Sequence, residues 1–461
     1  MTRELPALFL EQMKVLLGDE YEAWRGSFLE ESRQGLRINT LKLDNDTWKT
    51  ISPYDTEMIP WTSNGYFCGD YDTPGKDVYY SAGLYYLQEP SAMAPAQLLP
   101  VKPGDRILDL CAAPGGKSTE LGARLQGEGL LVANDISASR AKALLKNIEL
   151  FGIANACVTG ETPDKLADTF GPFFDAILVD APCSGEGMFR KDPGLIREWE
   201  KHGPDYYAPI QREILRQAVR MLKPGGYLLY STCTFSPLED EEAVHWLLEQ
   251  EPEMLLAGLT PFAGAQKGIG GEPVLRLFPH KIRGEGHFAA LLQKSADGEI
   301  ALPPAQAARS SKEEQQLERF LMKETDFTSF EQGLDRPFKR ERLFLKQDCL
   351  YYLPDGFSPQ WKLRYLRTGL LLGEFKHGRF SPSQALAMAL KKTVVKNTVS
   401  FTHQDERVIR YLKGETVALS PGEAGKGWCL VCLEDYPLGW AKGAGTTLKN
   451  KYYPGWRLQG G

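Results

Sequence analysis

The sequence lacks any apolar run long enough to cross a bilayer, which takes about 20 residues. It also lacks an excess of positive charge. Its 54 Lys and Arg stand against 60 Asp and Glu, giving a formal net charge of −6. A surface that is basic throughout is therefore excluded, and any nucleic-acid role must rest on a local patch. Cysteine is sparse, with 8 in 461 residues, and the eight are scattered. They form no disulfide framework and are expected to be thiols in a reducing compartment. No internal repeat and no low-complexity tract is visible. The opening stretch MTRELPALFLEQMKVLLGDE carries acids among its apolar residues and has no small-residue cleavage site. It does not read as a secretory signal, and a cytoplasmic location is expected.

What is present is the composition of a globular protein, 42% apolar and 25% charged. The length predicts more than one domain. Residues 1–75 read as a small α+β unit. Leu5 to Leu17 has helical spacing, Tyr21 to Glu30 reads as a second helix, and Leu36 to Lys42 alternates as a strand with basic residues on one side. Residues 76–294 repeat strand and helix, the pattern of a largely parallel sheet covered on both faces. Strands are expected at Arg106–Leu110, Leu130–Asn134, Ala156–Thr159, Ala176–Val179, Tyr227–Ser231 and Phe288–Gln293. Helices are expected at Gly116–Leu125, Ser137–Leu150, Asp164–Thr169, Asp205–Leu222 and Leu238–Gln250. Residues 295–316 shift to Ala, Pro, Glu, Lys and Ser and read as a linker. Residues 317–375 form an intermediate subdomain, and 376–461 a β-rich one.

The chain is organised around DLCAAPGGKS at Asp109–Ser118, placed between a strand and a helix. Glycines there let a ligand lie against the backbone, and the first helical amides can donate to it. A tight strand-to-helix turn with no ligand would use the same pair. Asp135 follows the next strand, where an acid can accept from a ribose diol or cap a helix, or do both. Two further strands end in Asp180-Ala181-Pro182-Cys183-Ser184-Gly185 and Ser231-Thr232-Cys233-Thr234-Phe235. Two strands thus deliver a cysteine to one sheet edge, beside an acid. Cysteines in such loops are candidate nucleophiles, whereas Cys68, Cys157 and Cys349 read as core residues. Cys429 and Cys432 form a lone CxxC in an apolar strand without further zinc ligands, so no metal is expected. His280 and His287 read as structural.

These motifs resemble the Sun/NSUN-type RNA cytosine-5 methyltransferases, and within them the bacterial 16S rRNA enzymes of the RsmF type. The matching pieces are DLCAAPGGKS, NDIS at Asn134–Ser137, DAPCSGEGMFRKDP at Asp180–Pro193 and STCTFSPLEDE at Ser231–Glu241. LQEPSAM at Leu87–Met93 and RLFPHKIRGEGHF at Arg276–Phe288 match as well. The resemblance implies a Rossmann-like S-adenosylmethionine-dependent methyltransferase domain, a small N-terminal RNA-binding domain and a PUA-like C-terminal RNA-binding domain. It assigns attack on cytosine C6 to Cys233, product release to Cys183, and contact with the cytosine edge to Asp180. The cofactor residues it implies are Cys111, Ala112, Ala113, Pro114, Gly115, Gly116, Lys117, Asp135 and Asp180. Glu161 is the acid favoured to face the adenine.

Lys117 is placed to reach the cofactor carboxylate or the RNA, unless it is a surface lysine of a first helical turn. Arg190 and Lys191 follow the cysteine loop and are candidates to grip a phosphate, the alternative being a solvated charge pair. A late basic and aromatic group includes Lys376, Lys449, Lys451 and Arg457 with Phe375, Phe380, Tyr452, Tyr453 and Trp456. It suits phosphates and stacked bases. Arg37, Asn39 and Lys42 are a second candidate patch. The partner implied is 16S rRNA or the small ribosomal subunit, with tRNA as the alternative; no membrane is expected, and a monomer is. An NAD-dependent oxidoreductase fits less well, because AAPGGK lacks the G-x-G-x-x-G spacing and hydride transfer has no use for paired cysteines. A non-catalytic RNA-binding assembly factor would not need both thiols.

Overall fold

The computed structural model describes residues 5–54, 57–69, 72–297, 311–423 and 425–459. Most of the expected 295–316 linker lies outside the described residues. A helix, Ser311–Lys323, already begins inside its C-terminal end.

The chain opens with two short helices, α1 (Ala7–Leu17) and α2 (Tyr21–Ser27). Next comes a four-stranded sheet in the order Glu57–Met58, Gly65–Phe67, Gly35–Ile38, Tyr85–Gln88. Its last strand lies beyond residue 75, so the expected boundary there cuts through this sheet. The two helices pack elsewhere. Phe9, Met13 and Trp24 share an apolar cluster with Phe189, Trp199, Phe235 and Phe278, beneath the loops that follow the cysteine-bearing strands.

The centre is a ten-stranded sheet. Its strands are β1 (Arg106–Asp109), β2 (Leu130–Asn134), β3 (Ala156–Thr159), β4 (Phe174–Asp180), β5 (Leu222–Thr232), β6 (His287–Lys294) and β7 (Tyr365–Thr368), with three short edge segments. The order β3-β2-β1-β4-β5 is parallel, and the antiparallel β6 pairs with β5. The chain reverses its winding between β1 and β4, which opens a crevice at their carboxyl ends. Val132, Cys157, Ile177, Val179 and Leu228 are buried on one sheet face and Leu131, Val158, Leu178 and Leu229 on the other. Burial on both faces is why these strands read as continuous apolar runs. Each fully buried aliphatic chain contributes about 1.5–3 kcal/mol.

The covering helices are α3 (Gly116–Arg124), α4 (Ala138–Phe151), α5 (Pro163–Phe170), α6 (Gly194–Lys201), α7 (Pro204–Met221) and α8 (Glu241–Gln250). α6 escapes a sequence reading because Pro193 and Gly194 open it and only Ile196 and Trp199 are buried. β7 comes from the region expected to be a separate subdomain, pairing antiparallel with β3. The expected boundary at 375/376 also fails. It falls inside strand Leu370–Lys376, which pairs with Arg379–Pro382 in a four-stranded sheet. The C-terminal five-stranded sheet spans Thr398 to Asn450.

The strand Gly35–Ile38 is buried along its whole length, although its sequence alternates. Leu36 and Ile38 pack with Val399, Phe401 and Tyr411 of the C-terminal unit, while Arg37 points at α3. Arg37 has no exposed surface. It pairs with Glu120 and donates to Gly116 O at 2.7 Å and Thr119 Oγ1 at 2.8 Å. Asn39 donates to Gly83 O and Phe151 O, and Lys42 to Ala82 O and Leu150 O. Burial pushes the Lys42 amine down to about 7. The expected RNA patch at Arg37, Asn39 and Lys42 is therefore an internal fastening between three layers: Arg37 and Asn39 are fully buried, and the half-buried Lys42 gives its ammonium to two carbonyls.

Candidate active site

The carboxyl ends of β1, β4 and β5 meet. Asp109 closes β1, and the Cys111–Lys117 turn leads into α3. Gly115 has φ 112°, a left-handed conformation that glycine adopts without a steric penalty. At Gly116 a Cβ would stand 3.0 Å from Tyr86 Cε1 and 3.1 Å from Gln88 Nε2. The turn is fixed from outside. Arg140 donates to Ala113 O at 2.6 Å and Asn147 to Pro114 O at 2.8 Å. Asp135 Oδ2 accepts from Ala113 N at 3.2 Å and its Oδ1 from Ser137 N at 2.9 Å. The structure thus gives Asp135 the work of holding the turn and starting α4.

A cleft of about 260 Å³ opens here. Cys111, Ala112, Ala113, Pro114, Gly116, Lys117 and Asp180 line it, with Asp109, Tyr86, Gln88, Glu89 and Lys191. Gly115, Asp135 and Glu161 are not on its wall. Glu161 is buried, and its carboxylate accepts from the Arg364 amide at 2.6 Å and from Arg364 Nε at 3.2 Å. Glu161, the acid favoured to face the adenine, is thus paired with Arg364, which stands just before β7.

Asp109 is the ionisable residue of the glycine-turn motif that sequence reading missed, as it missed Tyr86, Gln88 and Glu89 on the same wall. Its Oδ2 accepts from Ser118 Oγ at 2.5 Å, while its buried Oδ1 has no partner. Burial pushes the carboxyl up to about 7, against the Ser118 hydrogen bond. A buried acid with one oxygen unpaired on a cleft wall suits a ligand that brings positive charge or a donor. The signal was in the motif, as the acid that begins DLCAAPGGKS.

Cys183 and Cys233 come together. Their sulphurs are 3.3 Å apart, and the Cys233 amide donates to Cys183 Sγ at 3.4 Å. Both are half-buried free thiols. The neighbouring Cys233 sulphur and burial push the Cys183 thiol well above its usual range. Buried acids hold both loops. Glu239 takes the Ser184 amide at 2.9 Å, Glu186 takes the Phe235 amide at 3.0 Å and Trp199 Nε1 at 3.0 Å, and Asp240 takes Thr232 Oγ1 at 2.6 Å. Gly187 donates to Cys233 O at 2.9 Å, and a Cβ there would stand 3.0 Å from that oxygen. The glycine in SGEGM is thus explained by close approach.

Asp180, at the end of β4, stands between the cleft and the cysteines. Lys117 Nζ donates to its Oδ2 at 2.7 Å and Ser231 Oγ to its Oδ1 at 2.8 Å, with His287 Nε2 3.5 Å away. Burial pushes this carboxyl up, but Lys117 and then His287 outweigh it and hold it below the usual carboxylate range. Lys117 is thereby committed to Asp180. His287, read as structural, is buried at the start of β6 against the same acid.

The expected RNA contacts divide. Lys191 is exposed and lines the cleft. Arg190 is not available: it donates to Glu285 at 2.8 Å, Ser27 O at 2.8 Å and Gly284 O at 3.0 Å. It ties α2 to the loop before β6, so its reading as a phosphate grip is corrected. Lys449 and Lys451 are exposed on the C-terminal unit, whereas Phe375, Phe380 and Tyr452 are core residues and cannot stack on a base. Among the described residues no group of three or more His, Cys, Asp or Glu could hold a metal ion.

Comparisons with known proteins follow the same plan. Family models match in order: the N-terminal domain of 16S rRNA methyltransferase RsmF over residues 5–90, 16S rRNA methyltransferase RsmB/F over 96–293, the RsmF first C-terminal domain over 329–390, and the RsmF PUA domain over 398–458. The ribosomal RNA small subunit methyltransferase F of Erwinia tasmaniensis is 32% identical over 463 residues, covering 97% of this chain and 95% of that one. The chain belongs to the RsmF family. The Shewanella loihica protein of the same name is 33% identical and covers 91% of this chain and 88% of its own length. A solved methyltransferase homologue from Pyrococcus horikoshii is 26% identical with a TM-score of 0.55, covering 62% of this chain and 94% of that one. The NSun6 structure from the same organism, 24% identical with a TM-score of 0.55 over 63% of this chain and 98% of its own, shares the fold. The RsmF N-terminal and first C-terminal matches keep Tyr85–Gln88 and Leu370–Pro382 whole, as the sheets do.

Proposed function

We propose that this chain methylates C5 of a cytosine in 16S rRNA, with S-adenosylmethionine as methyl donor and Cys233 as the attacking thiol. The observation that carries the reading is the 3.3 Å approach of Cys183 and Cys233, next to an Asp180 that also lines the cleft. The cleft fits the donor: its glycine cradle admits backbone contact, and the unpaired Asp109 Oδ1 faces a cationic molecule favourably. Cys111 to Lys117, Asp109 and Asp180 would hold it. Bound there, S-adenosylmethionine supplies a methyl group activated on a sulfonium.

The chain's own residues do the rest. Cytosine C5 is too poor a nucleophile unless a thiolate first adds at C6. Cys233 makes that bond, and C5 becomes enamine-like. Asp180, held ionised, accepts from the cytosine N4 amino group and fixes the ring. The Lys117 ammonium beside it offsets the negative charge that builds on the ring. After C5 is methylated it gives up its proton to water, the C5–C6 double bond re-forms, and Cys233 leaves as a thiolate. Cys183, kept protonated, stands where its S–H can hydrogen-bond to that departing sulphur. Lys191 at the cleft mouth and Lys449 and Lys451 on the C-terminal unit contact RNA phosphates. The substrate is the small ribosomal subunit or its RNA, and the cytoplasm is the place of work.

The test is transfer of labelled methyl groups to 16S rRNA, free and in small subunits, with the modified base mapped by bisulfite sequencing. Wild-type protein should yield 5-methylcytosine, and Cys233→Ala none. Full activity of Cys233→Ala would overturn the assignment.

A further inference from the structure

Helix α7 joins two parallel strands, so its N-terminal end comes to the carboxyl edge of the sheet, where Cys183 and Cys233 sit. One side chain locks the two together: Gln211 donates to Pro182 O at 2.9 Å, the residue before Cys183. Tyr207 lies one helical turn earlier on the same face. Burial, then Glu198 and the Cys183 sulphur, push its hydroxyl up. Tyr206 is 51% exposed, and its ring meets Tyr207 at 5.1 Å and a 90° angle. The His202 ring is 4.4 Å from Tyr206 on the other side. The three rings stand outside the apolar cores. Arg197 and Lys201, on the helix just before, are exposed and have no ion pair among the described residues. Two exposed acids, Glu198 and Glu200, lie between them, and Glu198 is 3.8 Å from His202.

Packing does not account for three rings at the end of a helix that Gln211 ties to the cysteine loop, beside a site that must take a base out of its stack. Extracting one base leaves its neighbours with an uncovered face, and an aromatic side chain replaces that contact whatever the base. We propose that His202, Tyr206 and Tyr207 form a stacking platform for the RNA nucleotides beside the target cytosine, with Arg197 and Lys201 available to their phosphates. This rests on the RNA reading above. It adds a surface that selects unpaired RNA flanking the methylated position.

The test is steady-state methylation of 16S rRNA by the full-length chain as wild type, Tyr206→Ala, Tyr207→Leu and the double variant. S-adenosylmethionine affinity is measured alongside by calorimetry. Each single change should raise the KM for RNA about tenfold, with cofactor affinity and melting temperature unmoved. Tyr206→Trp should restore the wild-type KM. An RNA KM within twofold of wild type in the double variant overturns the platform. So does a defect seen on assembled subunits but absent on free RNA, which would make the rings a protein-docking surface. Tyr206→Ala, at an exposed position, keeps the test valid if Tyr207→Leu misfolds. A wild-type protein that methylates no RNA would instead overturn the reading on which the platform rests.

Discussion

Lys117 Nζ lies 2.7 Å from Asp180 Oδ2, and the two residues come from different strand ends. The lysine belongs to the cofactor turn and the acid to the cysteine motif, so the pair joins the two halves of the site. Lys117→Met leaves Asp180 without its main cationic partner and removes the positive charge offered to the ring. A fall in kcat of about 10²-fold is expected at saturating S-adenosylmethionine, together with weaker cofactor binding, because Lys117 also lines the cleft. Asp180→Asn should cost at least as much. Single-turnover kinetics at saturating cofactor measure both, and an unchanged rate for Lys117→Met would remove it from the chemistry.

Asp109 makes cofactor binding depend on pH. Its carboxyl is pushed up to about 7 from an ordinary 3.8, so it is mostly neutral at pH 6 and mostly ionised at pH 8. S-adenosylmethionine carries a net positive charge, and an ionised wall attracts it more strongly. Affinity should therefore rise about three- to tenfold between pH 6 and pH 8, and Asp109→Asn should flatten that rise. Calorimetric titration at the two pH values is the measurement. Affinity that falls with rising pH would contradict the assignment.

Arg190 and Lys191 are neighbours with opposite expected behaviour. Arg190→Ala strands buried Glu285 and cuts the tie to α2, so about 3–5 kcal/mol of stability should be lost. Lys191→Ala should leave the melting temperature within a degree or two and weaken RNA binding, with a shallower salt dependence. Thermal melts and RNA titrations at two salt concentrations separate the two roles.

The legible parts of this chain were those whose chemistry is local. Runs such as Leu130–Asn134 and Ile177–Val179 announce buried parallel strands, and the glycine turn and the two cysteine motifs sit at their ends as expected. Contacts between distant segments were not legible. Nothing in the alternation of Leu36 to Lys42 reveals that a third layer, from residues 398–452, covers the strand's other face and turns Arg37 inward. Glu161 looks free until Arg364 arrives from 203 positions later. β7 joins the central sheet from beyond the expected linker, because β3 would otherwise be an open edge. The acids that hold the cysteine loops, Glu186, Glu239 and Asp240, sit within the matching motifs, but only the fold shows them taking backbone amides and a hydroxyl.

The central claim is that Cys233 bonds to the cytosine and Cys183 helps it leave. Mass spectrometry of the Cys183→Ala variant after incubation with 16S rRNA and S-adenosylmethionine tests it most directly. The account predicts a stable protein–RNA adduct on the peptide containing Cys233, absent when Cys233→Ala is added. Normal turnover by Cys183→Ala without an adduct, or an adduct that survives Cys233→Ala, would contradict it.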